Sequence, residues 1–546
     1  MRRIASVLAG LAVVTSLTAC ASAAQRPSVS QASADFLVFY ADGKRQEALG
    51  AIGRAGGSAV RTEERLGYVL ARGAGEPFAA ALDDDPAVVG VSSDRKIGHA
   101  SASPALPGTA SAFPDASARE GAVKGREPLA ARQWDMRMIG ADKANATLPG
   151  SKKVLVGVID TGIDGNHPDI APNFERALSR NFVTDRPNDK NGETLDGPCE
   201  TAGCKDPVDR DDDGHGTHVA STIASPLNGI GVAGVAPGVR LVNIRAGQDS
   251  GFFFLKPSLD ALTYAADIGV DVVNMSYYVD PWLFNCTANK ADSARERSEQ
   301  RAIITGMQRA LNYARGKGVT LISALGNGAT DLGRPEVDKD SPGYPRGDER
   351  VRRIDNSCLN VPAESKGVIS ISAVGPSGRK SIYSDYGVEQ TDLAAPGGDA
   401  LDGKGASPTR SILAAAPESA LRANDKIDKN GKPKTSEVVR DCSKGTCSYY
   451  QYLDGTSMAA PHATGVAALL ISRFGKPGKG GLTLSPATVE KLLNKSATPK
   501  ACPAPRAYVY QVYGEEATHT CEGGKDKNGF YGRGIVNALD ATTVKR

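Results

Sequence analysis

Five stretches of the chain are dominated by apolar residues over a strand's length: Val154–Ile159, Val239–Ile244, Val270–Met275, Val319–Ala324 and Val368–Val374. Segments with helical spacing lie between several of them, such as Leu259–Ile268 and Arg301–Arg315. Strands that are apolar on both faces and alternate with helices predict an α/β fold. Its mostly parallel sheet is sandwiched by helices. In such sheets the reactive groups collect beyond the carboxyl ends of the strands.

The chain ahead of this region reads differently. Residues 35–98 alternate short strands (Phe36–Tyr40, Ser58–Glu63, Tyr68–Arg72, Val88–Val91) with helices over Gln46–Ile52 and from about Pro77. The order β-α-β-β-α-β predicts a small α+β, ferredoxin-like unit. Residues 99–130 are rich in Ala, Ser, Pro and Gly and read as a linker, which leaves 131–546 as the main domain. Residues 1–20 read as an export signal: Arg2 and Arg3 precede an apolar stretch, Ile4–Leu17, too short to span a bilayer comfortably. It ends in Leu17-Thr18-Ala19-Cys20, which resembles a bacterial lipobox. Cys20 is therefore a candidate lipid-bearing first residue, anchoring the chain at the cell surface. Ordinary cleavage at Ala21-Ser22-Ala23 is the alternative. No later stretch is long and apolar enough for a membrane helix.

Composition adds little that is selective. Lys and Arg number 65 and Asp and Glu 62, a net charge of +3, which argues against nucleic acid as a partner. The basic run Arg350-Val351-Arg352-Arg353 reads as a solvated loop. With Cys20 set aside, eight cysteines remain, an even number suited to disulfides in an exported protein. Cys199/Cys204 and Cys442/Cys447 look like local staples, leaving Cys286/Cys358 and Cys502/Cys521. The spacing alone permits 105 connectivities, and Cys-x4-Cys also lies within zinc-finger spacing.

Four places carry candidate chemistry. Asp160 follows the strand Val154–Ile159. His215 sits where Asp213-Gly214-His215-Gly216-Thr217-His218 enters a small-residue helix. His218, three residues on, opens a metal reading, but no Glu separates the pair as a zincin motif requires. Ser457 opens a helix after Asp454-Gly455-Thr456, where free N–H groups and the positive dipole end would suit a developing oxyanion. Asn327 lies between two glycines at the end of the strand running into Leu325-Gly326, where a side-chain amide can donate to an oxyanion.

These motifs, in this order, resemble the subtilisin-like serine proteases over 131–546, with 35–98 resembling the family's propeptide. The resemblance implies Asp160, His215 and Ser457 as the catalytic triad, with Asn327 and the Ser457 N–H as oxyanion donors. His218 and His462 are left with structural roles. It implies an acyl-enzyme on Ser457 and polypeptide substrates. Their extended chain would pair at Asn274-Met275-Ser276, and Tyr277-Tyr278 would replace the usual small residues. Ser276, Tyr277 and Tyr278 are the candidate substrate-binding residues, with the first specificity pocket partly filled. It further implies a secreted, monomeric enzyme made as a precursor. The precursor would be inhibited and templated by its own propeptide and cut by itself near His99–Ala100.

No cofactor is needed for the chemistry. Asp164-Gly165-Asn166-His167-Pro168-Asp169 resembles the family stretch whose last Asp binds a structural calcium. The resemblance implies a site from Asp169, the Asn228 side chain and carbonyls of the loop 226–232, with a plain surface loop as the alternative. Asp209-Arg210-Asp211-Asp212-Asp213-Gly214 begins like an EF-hand loop, but Ala220 stands where the closing Glu belongs. The acidic stretch could instead favour basic residues in the substrate. The insertions 280–300, 330–358 and 398–450 depart from the smallest family members, and Val361-Pro362 is a candidate cis bond. A narrow processing protease and an inactive binding module of the same fold are the competing readings.

Overall fold

The computed structural model describes residues 33–94, 127–189, 191–512 and 515–546. The expected export signal, Cys20, most of the expected linker and the expected cut at His99–Ala100 lie outside the described residues.

The first unit comprises β1 (Ala34–Tyr40), α1 (Arg45–Arg54), β2 (Ser58–Glu63), β3 (Tyr68–Gly73), α2 (Gly75–Ala80) and β4 (Val88–Ser93). Its four strands are antiparallel in the order β2-β3-β1-β4. Alternation along β1 serves two cores: Phe36 and Val38 pack under α1 and α2, while Leu37 and Phe39 join a core of the main domain.

The main sheet has seven parallel strands. They are β5 (Leu155–Ile159), β6 (Arg180–Asn181), β7 (Arg240–Arg245), β8 (Val272–Met275), β9 (Thr320–Ala324), β10 (Ile369–Val374) and β11 (Leu393–Pro396). Their spatial order is β11-β10-β9-β8-β5-β7-β6. The chain builds outward from β5 first to one side and then to the other. The topological switch point, where crevices form in open α/β sheets, is therefore the carboxyl end of β5.

One face of the sheet is covered by α4 (Leu255–Ile268) and α5 (Ala294–Gly316), the other by α3 (His215–Ala224) and α6 (Thr456–Phe474). Alternate residues of β5 divide between the faces: Leu155 and Ile159 to the first, Val156 and Val158 to the second. Helix α5 starts seven residues before the apolar spacing suggests. Ser293 caps it and Glu296 reaches back, a reciprocal capping box on a polar first turn.

The first unit docks on α5. The Val91 N–H donates to Ser298 Oγ (3.1 Å), and Arg295 and Arg301 donate to the carbonyls of Val91 (2.7 Å) and Val89 (2.9 Å). Arg309 donates to the carbonyls of Leu66, Gly67 and Tyr40.

Four disulfides form: Cys199–Cys204, Cys286–Cys358, Cys442–Cys447 and Cys502–Cys521. Cys286–Cys358 ties the first two insertions together. The third carries β12 (Ile412–Ala415), β13 (Val438–Asp441) and β14 (Ser448–Leu453), a sheet in the order β12-β14-β13. Val361–Pro362 is cis.

The basic run at 350–353 is not a solvated loop. Arg352 is fully buried under Trp282, pairing with Asp292 (2.9 Å) and Asp338 (3.0 Å), and Arg350 pairs with Asp292 and Glu296. A guanidinium is tolerated there because carboxylates some 14 and 60 residues away neutralise it. Among the described residues, no helix is long and apolar enough to cross a membrane.

Candidate active site

Asp160 is the first residue beyond β5, at the switch point. Its carbonyl accepts the N–H groups of Ala246 (3.0 Å) and Gly247 (3.1 Å), which fixes it to the end of β7. The carboxylate is fully buried, and its Oδ1 accepts the Thr161 N–H (2.8 Å) and His215 Nδ1 (2.7 Å). A carboxylate can only accept, so Nδ1 carries the imidazole proton and Nε2 is the basic nitrogen. That Nε2 is buried and has no hydrogen-bond partner among the described residues.

The turn entering α3 sets this geometry. Asp211, buried, takes four donors: the Thr161 and Thr217 hydroxyls and the Gly214 and Thr217 N–H groups. Asp213 accepts the His215 N–H (2.9 Å). Gly216 lies against the Asp160–Gly162 backbone, where any side chain would strike the Gly162 carbonyl. Burial alone would depress the His215 imidazole. The charge and hydrogen bond of Asp160, with Asp213 and Asp211 behind it, outweigh burial and carry the group up to about 9.

Ser457 is the second residue of α6 and is buried. Its hydroxyl contacts the Ser276 carbonyl (3.3 Å), while the Ser276 hydroxyl donates to the Ser457 carbonyl (3.0 Å). Asn274 continues the tie, donating to Ser276 Oγ and accepting from Thr464 Oγ1. Ile159, Met275 and Ser323 share one level of three adjacent strands. Asp160, Ser276 and the turn carrying Asn327 therefore emerge on the same edge of the sheet.

Asn327 Oδ1 accepts both the N–H and the hydroxyl of Thr456 (each 2.9 Å), which turns the amide NH₂ the other way. A methyl group placed on Gly455 would sit 3.5 Å from the Ser457 nitrogen and 3.6 Å from Asn327 Nδ2, so both donors reach one small volume. Behind this turn, buried Asp385 accepts the Thr330 N–H (2.7 Å), and its own N–H donates to the Gly326 carbonyl. Thr456 and Asp385 were not identifiable in advance, because each is a common residue whose partners are distant in sequence, and Asp211 read only as one of a run of acidic residues.

His218 and His462 are held in the core away from this edge. His218 Nε2 faces the carbonyls of Ile412 and Gln451 (3.0 Å each), and burial lowers it to about 3. His462 bridges the Met458 carbonyl and Asp135. The side chains of the expected substrate residues are placed differently from one another. Ser276 spends its hydroxyl on Ser457, and Tyr277 is buried, stacked on Phe253 at 4.1 Å and 3°. Alternation along the extended chain sends Tyr277 inward, so of the three side chains only that of Tyr278 is partly open.

The calcium expectation fails a fit test. Calcium takes six to eight oxygen ligands. Asp169 Oδ2 already accepts the Val232 N–H (2.9 Å) and the Tyr450 hydroxyl (3.2 Å). Asn228 Oδ1 accepts the Ile230 N–H, the Asn228 carbonyl accepts Lys444 Nζ, and the Gly231 carbonyl accepts the Leu129 N–H. Of the side-chain oxygens expected to bind the ion, only Asp169 Oδ1 is left, buried and unpartnered.

The EF-hand-like carboxylates also diverge: Asp209 goes to Arg176, Asp212 to Arg210, and Asp211 and Asp213 to the α3 turn. Asp185, Asp206 and Asp249 do converge, but on buried Arg245 (2.6, 2.7 and 2.9 Å). Asp249 also lies close to Asp212 and Glu200.

Comparison with known proteins bears on the fold and the family. The thermophilic serine proteinase of Bacillus sp. (strain AK1) is 27% identical over 325 residues, 59% of this chain and 53% of that protein. The nisin leader peptide-processing serine protease of Lactococcus lactis is 28% identical over 346 residues, 63% and 44% of the two chains. The chain thus spans about half the length of these curated relatives. A crystal structure of the epidermin leader peptide processing serine protease of Staphylococcus aureus has the same fold. Its TM-score is 0.61 at 20% identity, covering 94% of this chain and all of that one. The sequence profile of the subtilase family matches residues 151–532 and takes in Asp160, His215, Asn327 and Ser457, and on that match the chain belongs to the subtilase family.

Proposed function

We propose that the protein is a serine endopeptidase, exported as a precursor, that cleaves polypeptides through an acyl-enzyme on Ser457. The observation that carries this reading is the buried Asp160–His215 hydrogen bond, with a basic Nε2 left unpartnered. A serine hydroxyl is a weak nucleophile without an adjacent base. His215 Nε2 takes the Ser457 proton as Oγ attacks the carbonyl carbon, and returns it to the leaving amine. Asp160 holds the tautomer and stabilises the imidazolium. The oxyanion receives the Ser457 N–H and the Asn327 amide; in this family one such donor is worth roughly 2.7–4 kcal/mol of transition-state stabilisation. Water then repeats the sequence to release the acyl group.

The first unit acts as a propeptide, held on α5 by the three arginines. Cleavage beyond β4 releases the enzyme from it and from any lipid on Cys20. A narrower processing role is the second reading, favoured by Tyr277 filling space beneath the substrate strand and by relatives named for leader-peptide processing. Asp212, three residues before His215, and Asp249, two residues after the Gly247 N–H that holds Asp160, cluster with Glu200 and favour basic side chains near the scissile bond.

Ser457→Ala tests self-processing. Purified wild type should shorten to the mature length, while the variant should remain a full precursor on a gel. A variant that matures alone at the wild-type rate would refute autocatalysis.

A further inference from the structure

The loop that fails the calcium test is not left without a cation. Two buried carboxylates flank it: Asp169, and Glu127, which lies against the backbone N–H groups of Asn228, Gly229 and Ile230. Buried carboxylates clustered in this way call for a positive charge or for donors. Both arrive on the hairpin between β13 and β14, whose tip is closed by Cys442–Cys447. Asp441 Oδ2 accepts the Gly231 N–H (3.0 Å), and the Tyr450 hydroxyl donates to Asp169 Oδ2 (3.2 Å). Lys444 Nζ donates to the Asn228 carbonyl and stands over Gly229, 2.9 Å from where a side chain there would begin. Lys444 itself has φ +54°, uncommon for a residue with a side chain, so the stapled tip holds it in one unusual backbone conformation. Gly231, at φ +49°, leaves the space that the Tyr450 phenol fills.

We propose that Lys444, with Tyr450, is a covalently attached replacement for a bound metal ion in the 226–232 loop. A free ion stabilises a fold only according to its concentration and affinity, and a chelator removes that contribution. A lysine on a disulfide-closed hairpin cannot be chelated, so the loop keeps its shape when no divalent cation is present. The consequence is an enzyme whose stability at this loop is indifferent to calcium and dependent on one side chain of an insertion.

The test uses the full chain carrying Ser457→Ala, which prevents self-digestion. Thermal unfolding is followed in excess calcium and in excess EDTA for four proteins: this parent, Lys444→Met, Asp169→Asn and, as a surface control, Lys434→Met. The expected result is a drop in Tm of about 2 °C or more for Lys444→Met beyond that of Lys434→Met, with no calcium response that depends on Asp169. Two results would overturn the proposal. One is a calcium-induced rise in the parent's Tm that Asp169→Asn abolishes. The other is a Lys444→Met protein that melts with Lys434→Met.

Discussion

His215 shows how one side chain is tuned by the carboxylates packed around it. Its ring is buried, which disfavours the imidazolium, yet three carboxylates, two on its own entry turn and one just beyond β5, reverse that preference. The base form is the active one, so kcat/KM should climb as pH rises through the value the group holds in the free enzyme. Replacing Asp213 by Asn keeps an oxygen for the His215 N–H but removes a negative charge. The imidazolium then loses stabilisation, the pKa falls, and the acid limb should move to lower pH. A pH profile on a peptide substrate checks this, and a limb that stays in place or moves to higher pH would contradict it. The positions proposed as the triad stand out in the sequence because each lies next to glycines or small residues whose spacing is distinctive. Tyr277 was legible as a departure from that spacing, but not as a core residue, because its partner Phe253 lies 24 residues upstream.

At the scale of elements, the apolar runs located the five inner strands to within two residues. Boundaries set by polar groups were less visible, as with α5, whose start depends on a side-chain cap. The insertions were legible only as extra chain. Their stability rests on long-range ion pairs, of which buried Arg352 with Asp292 and Asp338 is the clearest. Arg352→Met leaves Asp338 buried without its cation, and Asp292 with Arg350 alone, and should cost about 3–5 kcal/mol. Arg353→Met, at an exposed neighbour, should change stability by less than about 0.5 kcal/mol. Urea unfolding of the two variants in the Ser457→Ala background measures the difference, and equal losses would contradict the buried network.

Over the whole molecule, the parallel order of strands and the switch at β5 explain why residues nearly 300 positions apart act together. Asp160 ends the strand where building reverses direction, α3 brings His215 back onto it, and α6 begins at Ser457 beside the end of β8. The docking of the first unit on α5 was not legible, because it uses backbone carbonyls whose arginine partners are over 200 residues away. The central claim is that this convergence makes Ser457 a nucleophile. Its most direct test is the rate and site of labelling by a fluorophosphonate, with the modified residue identified by mass spectrometry. The account predicts a single adduct on Ser457 in the mature enzyme and a labelling rate lower by several orders of magnitude in His215→Ala. An adduct on a different serine, or undiminished labelling without His215, would contradict it.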